Sequence, residues 1–243
     1  MEILVQGLFE ARRRGKRYIY RIGAAFVSSR LGLEQIPPLT ARTLELDVSP
    51  SSPGGLILAG SYVPKTTAHL ESLIEGLGNK LATIVLRVDN LLEGPRAAEA
   101  TILQASDETC RLIIDGKDVL IMTSRKLITG SDKRTSLDIG SVVASSLVLF
   151  LRMLNPRPHY VIAKIDAGPI ITLHLCGITS SDAATKGLRM LRAKVVGQAA
   201  SGVPLWRCDE PTSKFTAALA YIVFPGNVGE NETLRDLVTS WAA

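Results

Sequence analysis

The sequence predicts an α/β protein with a layered, mostly parallel sheet and flanking helices, plus a remnant of a second α/β domain. From residue 55 onward, short apolar runs alternate with helical patterns. These runs are continuously apolar, as in strands buried on both faces. The 243 residues correspond to about one and a half domains of roughly 150 residues. A composition of 46% apolar and 21% charged residues excludes a disordered chain.

Residues 1–33 are predicted to be the remnant of the second domain. Ile3, Leu4, Leu8 and Ala11 recur at helical spacing, and Gly15 ends that pattern. A stretch rich in proline and serine, with little periodicity, follows and is typical of a linker. The elements predicted here are a helix over 2–14, a strand over 18–22, a short helix over 24–29 and a linker over 34–54.

Residues 55–243 are predicted to form one complete domain. Its strands are recognised by short apolar or β-branched runs, and its helices by apolar spacing that ends at glycine or before proline. The predicted strands are 56–59, 83–88, 118–122, 160–163, 194–196, 203–206 and 221–224. The predicted helices are 67–77, 95–110, 135–154, 183–191 and 231–241.

The charge distribution and the spacing of cysteines and histidines argue against a nucleic-acid-binding protein, a disulfide-rich protein and a zinc protein. The net charge of +5 favours phosphorylated ligands only weakly. The basic run at 12–17 is typical of a nucleic-acid tract or a solvated helix end, and no aromatic platform accompanies it. We therefore expect no nucleic-acid partner. The cysteines and histidines lack the spacing of a disulfide framework or a zinc site, so no metal site is predicted: Cys110, Cys176, Cys208, His69, His159 and His174.

The sequence predicts a cytoplasmic protein without a membrane partner. Glu2 stands at the N-terminus, and no basic region precedes the first apolar residues, unlike in a signal peptide. The longest charge-free apolar helical stretch, 139–151, is too short to span a bilayer.

Three junctions join a strand to a helix through small residues. Such junctions let backbone N–H groups approach an anion at a helix N-terminus, where ligands of α/β sheets bind. Helix capping and tight turns are the structural alternative. None matches GxxxxGK[ST] or GxGxxG. The junctions are 60–67, 177–182 and 226–229, with Lys65, Arg125 and Lys186 nearby. Together they indicate a nucleotide or phosphate site.

Two further features allow more than one interpretation. Ser61 lacks a surrounding GxSxG pattern, so a capping or phosphate-contacting serine is favoured over a nucleophile. Residues 123–126 follow a strand and are either a polyanion contact or a solvated loop.

These segments resemble the four-carbon acid sugar kinase family. The resemblance to its C-terminal nucleotide-binding domain covers about residues 55–241, and residues 7–33 resemble the last segment of its N-terminal domain. The segments that carry it are 60–71, 123–126, 177–187, 197–198, 202–206 and 224–229.

The resemblance implies an ATP-dependent kinase, working with Mg²⁺, that phosphorylates threonate, erythronate or an oxo-tetronate. It implies that Ser61 contacts ATP. It further implies a phosphate or ribose loop of Gly177, Ile178, Thr179 and Ser180, and a nucleotide lining of Gly226, Asn227 and Gly229.

The sequence departs from the family at two places. The family's N-terminal domain holds the sugar acid with an Asp-Asp-x-Thr-Gly-type motif, and this chain contains no Asp-Asp pair. The resemblance thus puts the catalytic residues in a missing domain, and we expect the isolated chain to be inactive. Residues 165–176 stand where the family has one further glycine. They are either an added strand or lid, or an unspliced segment that displaces the loop after them, and no metal role is assigned to His174 or Cys176.

Three functions remain as hypotheses: a sugar-acid kinase, a non-catalytic nucleotide-binding fragment or pseudo-kinase, and a dehydrogenase-like phosphate-binding domain. The third lacks its glycine motif. Apolar surface left by the missing domain makes a homo-oligomer possible.

Overall fold

The structure is a computed structural model. It divides into two compact units, Met1–Pro37 and Pro38–Ala243. The domain boundaries expected from the sequence remain a prediction. The residues that the structure describes are 1–34, 36–46, 49, 52–60, 63–125, 128–155, 158, 160–165, 180–208, 210, 219–226 and 228–241.

The first unit contains two helices, α1 (Glu2–Arg13) and α2 (Ala24–Leu31). Both confirm the sequence prediction. The Arg30 guanidinium lies 3.6 Å from the centre of the Phe9 ring, which joins the helices by a cation–π contact. The predicted strand over 18–22 is wrong, because the described residues supply no neighbouring strand to pair with it.

The second unit is built on a sheet that has seven strands among the described residues, in the order β2-β3-β1-β4-β7-β6-β5. The first five strands in that order are parallel, and β6 and β5 are antiparallel. The predicted mostly parallel α/β fold is therefore confirmed. The strands are β1 (Leu56–Ala59), β2 (Leu81–Leu86), β3 (Asp118–Thr123), β4 (Tyr160–Ile165), β5 (Ala193–Ala200), β6 (Val203–Cys208) and β7 (Ala220–Pro225).

Helices cover both faces of this sheet. The side chains of β1 alternate between the two cores: Leu56 and Leu58 belong to one apolar cluster, and Ile57 and Ala59 to the other. One face carries α3 (Pro64–Leu77) and α7 (Thr233–Trp241); the other carries α4 (Val88–Leu92), α5 (Pro95–Ile114), α6 (Lys133–Met153) and a π-helical segment, Ala183–Gly187.

The helix predicted over 183–191 begins and ends earlier than expected, because the structure is helical over 180–187. The π-helical segment ends at Gly187, where a Cβ atom would lie 2.8 Å from Cδ1 of Leu151, and Arg189 has a left-handed φ of 57°. The close approach to α6 and the left-handed residue end the helix there. The strand predicted over 83–88 also ends earlier, because the N–H of Val88 donates to Ser124 Oγ at 3.1 Å and Val88 begins α4.

Part of the predicted linker is packed against the second unit's sheet. The Leu39 N–H donates to the Gln198 carbonyl of β5 at 2.7 Å, and Ala41 is buried. A short 3₁₀ helix, Arg42–Leu44, follows. Residues 38–46 therefore pack against the β5–β6 hairpin instead of forming a free linker.

Among the described residues, α6 alone combines a length and a composition that would allow a membrane crossing. A helix that packs against a sheet can pass the same test. In α6, Phe150 and Leu151 are buried in the core, and the first turn is capped by Asp132.

Candidate functional site

The carboxyl ends of the parallel strands meet at one edge of the sheet. At this edge β1 leads toward α3 on one face, whereas its neighbour β3 leads toward α6 on the other. Ligands of open α/β sheets bind where neighbouring connections diverge in this way. The candidate site is therefore the edge outside β1, extended along the sheet toward β7.

The β1–α3 junction is held close to β3 and α6. The Thr123 hydroxyl at the end of β3 donates to the Gly60 carbonyl at 3.2 Å. A Cβ atom on Gly60 would lie 2.7 Å from Cδ1 of Leu147, so a larger residue would require the Leu147 side chain to move. The first residue after β1 is thus fixed against two neighbouring elements.

The N-terminus of α3 faces this edge, and the side chain of its N-cap residue forms no capping hydrogen bond. Its N-cap residue is Val63, and Pro64 occupies the first helical position. Such a helix start presents backbone N–H groups and a partial positive charge. The start of α6 differs, because Asp132 and Thr135 form a capping box there. The N-cap side chain therefore caps α6 but not α3.

A cationic side chain from the loop after β3 reaches the first turns of α3. Nη2 of Arg125 donates to Thr67 Oγ1 at 2.5 Å, and the half-buried Lys65 belongs to the same turn. Lys186 is held elsewhere: its Nζ pairs with Asp182 at 2.8 Å, and its carbonyl accepts a hydrogen bond from Arg152 near the end of α6. Of the three basic residues expected at the site, Lys65 and Arg125 lie at the first turns of α3, whereas Lys186 does not.

The β7–α7 loop requires glycine at a defined point. Gly229 has a left-handed φ of 76°, and a Cβ atom there would lie 2.4 Å from Oγ1 of Thr233. That hydroxyl accepts a hydrogen bond from the Glu230 N–H at 2.8 Å. Gly226, at the start of the loop, is buried. The loop therefore has little room for a side chain at Gly229.

His69 joins this loop to α3. Its Nε2 lies 2.8 Å from the Glu230 carbonyl oxygen, and its ring meets the Phe224 ring edge-on at 5.5 Å. The side chain is completely buried. Sequence reasoning found no partner for His69. The helical spacing of the buried residues of α3 does place it on the buried face, together with Thr66, Leu70 and Leu73.

The turn between β5 and β6 bounds the other side of the loop. Gly202 has a left-handed φ of 74°, and a Cβ atom there would lie 3.2 Å from Cγ1 of Val228. The Gly202 N–H donates to Oε1 of Gln198 at 2.7 Å. The hairpin turn, the β7–α7 loop and α3 therefore form a continuous row.

The predicted site residues fall into three groups. Gly226 and Gly229 lie together on the β7–α7 loop. Ser180 is buried on the α6 face of the sheet, where its carbonyl accepts a hydrogen bond from the Tyr221 hydroxyl at 2.8 Å. The same burial raises the pKa of Tyr221. Ser61, Gly177, Ile178, Thr179 and Asn227 lie outside the described residues, as do residues 166–176 of the predicted insert.

Within the described ranges, no cluster of three or more His, Cys, Asp or Glu side chains could hold a metal ion. The polar groups that line the edge are hydroxyls, backbone groups and cationic side chains. This chemistry favours an anionic ligand over a bare cation.

Comparison with known proteins adds a family and a fold. A family model described as a nucleotide-binding C-terminal domain matches residues 56–234. No curated protein matches the chain.

Two solved structures share the fold. One is a domain of unknown function from Bordetella bronchiseptica, solved with bound citrate as a domain-swapped dimer. It is 13% identical, with a TM-score of 0.54, over 79% of this chain and 43% of that one. The other is the "putative tRNA synthase" from Salmonella typhimurium LT2, 13% identical, with a TM-score of 0.52, over 79% of this chain and 42% of that one. The chain thus spans less than half the length of either structure.

Proposed function

Because the chain belongs to the family of nucleotide-binding C-terminal domains, we propose that it binds ATP along the carboxyl edge of its sheet. We further propose that it supplies the ATP-binding half of a cytoplasmic kinase for four-carbon acid sugars of the threonate, erythronate or oxo-tetronate type. The observation that carries the proposal is the contact of His69 with Glu230. It joins α3, whose N-terminus faces the carboxyl edge, to the glycine-containing β7–α7 loop.

The phosphates are proposed to lie at the start of α3. There the N-terminus of α3 and the Arg125 guanidinium lie close together, and Lys65 belongs to the first turn of the helix. Charge-assisted hydrogen bonds from a guanidinium and from helix N–H groups suit phosphate oxygens. By the resemblance, Ser61 adds a hydroxyl to this group.

The nucleoside is proposed to lie along the β7–α7 loop. Gly226 and Gly229 carry no side chains, and a ligand can approach the exposed backbone at Gly229 closely. Asn227 is assigned to this lining by the resemblance. The resemblance assigns Gly177, Ile178, Thr179 and Ser180 to the ribose or phosphates, and this remains a proposal.

Mg²⁺ fits this site as a companion of the nucleotide. The ion keeps several waters and is commonly held by substrate phosphates with one or two carboxylates, so it needs no cage built by the protein. When bound, it neutralises charge on the transferring phosphoryl group. The residues of this chain would hold the phosphates, chiefly through Arg125 and the start of α3.

In the proposed reaction, a sugar-acid hydroxyl attacks the γ-phosphorus of ATP, and ADP leaves. A base must accept the hydroxyl proton. The resemblance puts the sugar acid and that base in another domain. The chain alone is therefore proposed to bind nucleotide without phosphorylating a sugar acid.

Calorimetric titration of the full chain with a non-hydrolysable ATP analogue and Mg²⁺ tests nucleotide binding. Arg125→Met should weaken affinity roughly tenfold or more, because a charge-assisted contact contributes about 1.5–3 kcal/mol. Arg111→Met, on the exposed surface near the end of α5, is the matched control and should bind like the wild type. Absence of binding by the wild type, or equal affinity in Arg125→Met, would contradict the proposed site.

A phosphoryl-transfer assay with threonate, erythronate and oxo-tetronates tests the assignment of roles. We expect nucleotide binding without turnover by the chain alone. Turnover would show that the chain holds the sugar-acid site and the base as well.

A nucleotide-binding module without kinase activity is the second candidate. It is favoured by the family match, which covers residues 56–234 and concerns nucleotide binding only. Adding a separately produced sugar-acid-binding domain distinguishes the two, since only the kinase half should then support transfer.

A further inference from the structure

The two lateral edges of the sheet are protected very differently. At the β5 edge, register shifts interrupt the strand between Val195 and Gly197 and again between Gln198 and Ala200. The Leu39 N–H also bonds to that edge at Gln198. Bulges and a covering segment are the usual means of preventing further strands from adding to a sheet.

The β2 edge has none of these features. Its sequence from Leu81 to Leu86 contains no charge and no proline, and its pairing with β3 runs without a register shift. The strand is rich in β-branched residues, and Val85 is 44% exposed. An edge of this kind is a template for another strand.

Backbone groups along β2 point away from the sheet. The Leu86 carbonyl accepts from the Ser124 N–H at 3.0 Å and so faces β3. Because peptide groups alternate along a strand, Leu81, Thr83 and Val85 direct their N–H and C=O groups outward. The Leu81 N–H donates to the Gly78 carbonyl. In the part of the chain that the structure describes, no backbone group pairs with the outward groups of Thr83 and Val85.

A groove of about 300 Å³ follows this edge and is lined by residues of β2, α4 and α5. Arg87 lies at its end nearest the carboxyl terminus of β2. Glu108 belongs to α5, which runs back toward the amino edge, so Glu108 lies beyond Thr101 toward the start of β2. Of the charged residues that line the groove, Arg87 and Glu108 thus lie toward opposite ends, and Arg87 also pairs with Asp89 at 3.7 Å.

We propose that β2 is a dimerisation edge at which a second copy of this chain adds its own β2. A two-fold axis makes the two β2 strands antiparallel. Thr83 is the middle one of the three outward-facing residues, so the axis passes through the Thr83–Thr83 pair. The Val85 N–H of each copy then donates to the Leu81 carbonyl of the other. The antiparallel arrangement brings each Arg87 toward the Glu108 end of the opposite groove. This self-complementarity favours a second copy over an unrelated strand.

Sedimentation of the full chain tests the proposal. The wild type should be a dimer. Thr83→Pro should raise the dimer dissociation constant roughly tenfold or more, because it removes an outward donor without removing a β2–β3 hydrogen bond. Val195→Lys, at the protected edge, is the matched control and should remain dimeric. Circular dichroism checks that each variant is folded. A monomeric wild type, or a folded Thr83→Pro that dimerises like the wild type, would overturn the proposal.

Two further measurements do not depend on the proline variant. Arg87→Glu and Glu108→Arg should each weaken the dimer, and the double variant should restore it; a double variant as weak as the single ones would contradict the charge pairing. Thr83→Cys should be cross-linked between copies by a short bis-maleimide, beyond any cross-linking of the wild type through its native cysteines. Cross-linking no greater than that of the wild type would exclude a pair centred on Thr83.

Discussion

The imidazole of His69 and the backbone carbonyl of Glu230 meet at 2.8 Å in a buried contact. The two residues belong to elements at opposite ends of the second unit's sequence. This contact fixes the β7–α7 loop against α3 at the carboxyl edge, where we propose that the nucleotide binds. His69 is thus a positioning residue for the loop.

Replacing His69 should lower nucleotide affinity, whereas replacing a neighbouring core residue should lower stability without lowering affinity. His69→Ala removes the contact with Glu230 and leaves a cavity, which should cost about 2–4 kcal/mol of unfolding free energy. The loop should then lose its fixed position, and affinity for the ATP analogue should fall. Leu70→Ala, buried on the same helix, is the matched control for stability and should leave affinity near that of the wild type. Denaturant unfolding and calorimetry measure both quantities. Equal affinities in the two variants would contradict the positioning role.

A second prediction concerns Gly229. Gly229→Ala places a side chain at a left-handed φ of 76° and against the Thr233 hydroxyl, so we expect a loss of about 1–3 kcal/mol. Gly140→Ala is the control, because Gly140 lies within α6 with open space around its Cβ position. That change should stabilise the protein by about 0.5–1 kcal/mol. Urea unfolding checks both. A neutral Gly229→Ala would show that the loop tolerates a side chain.

The sequence predicted the sheet better than the site. Continuous apolar runs such as residues 56–59 indicate strands buried on both faces, because every side chain of the run is removed from water there. The run at 18–22 has comparable strand propensity, but a strand exists only where another chain segment pairs with it, and pairing is not encoded locally.

The candidate site depends on contacts between distant residues. His69 and Glu230 are 161 positions apart, so no local pattern could relate them. The glycines at 226 and 229 were recognisable as a turn, but the reason for the second glycine, the space taken by Thr233, appears only in three dimensions. The same holds for Gly187, whose contact with Leu151 accompanies the early end of a predicted helix.

A third prediction concerns pH. Hydrogen bonds from the Thr135 backbone N–H, and then from its hydroxyl, hold the pKa of the Asp132 carboxyl below its usual value of 3.8. A carboxyl with a depressed folded-state pKa stabilises the fold above its unfolded pKa. That contribution is lost as the pH falls from 3.8 through the folded-state value. Asp132→Asn should therefore reduce the acid sensitivity of unfolding, whereas Asp138→Asn on the same helix should keep it. Denaturant unfolding from neutral to acidic pH measures this. Unchanged acid sensitivity in Asp132→Asn would contradict the prediction.

The last prediction concerns the buried hydroxyl that holds Ser180. Tyr221→Phe leaves the Ser180 carbonyl without this donor in a buried place, which should cost about 1–3 kcal/mol. Tyr18→Phe, at an exposed ring of the first unit, is the control and should be neutral. If the segment beginning at 177 contacts the nucleotide, as the resemblance implies, Tyr221→Phe should also weaken binding of the ATP analogue, because Ser180 anchors the end of that segment. A destabilised variant with unchanged affinity would separate Ser180 from the nucleotide and leave the phosphates to α3 and Arg125.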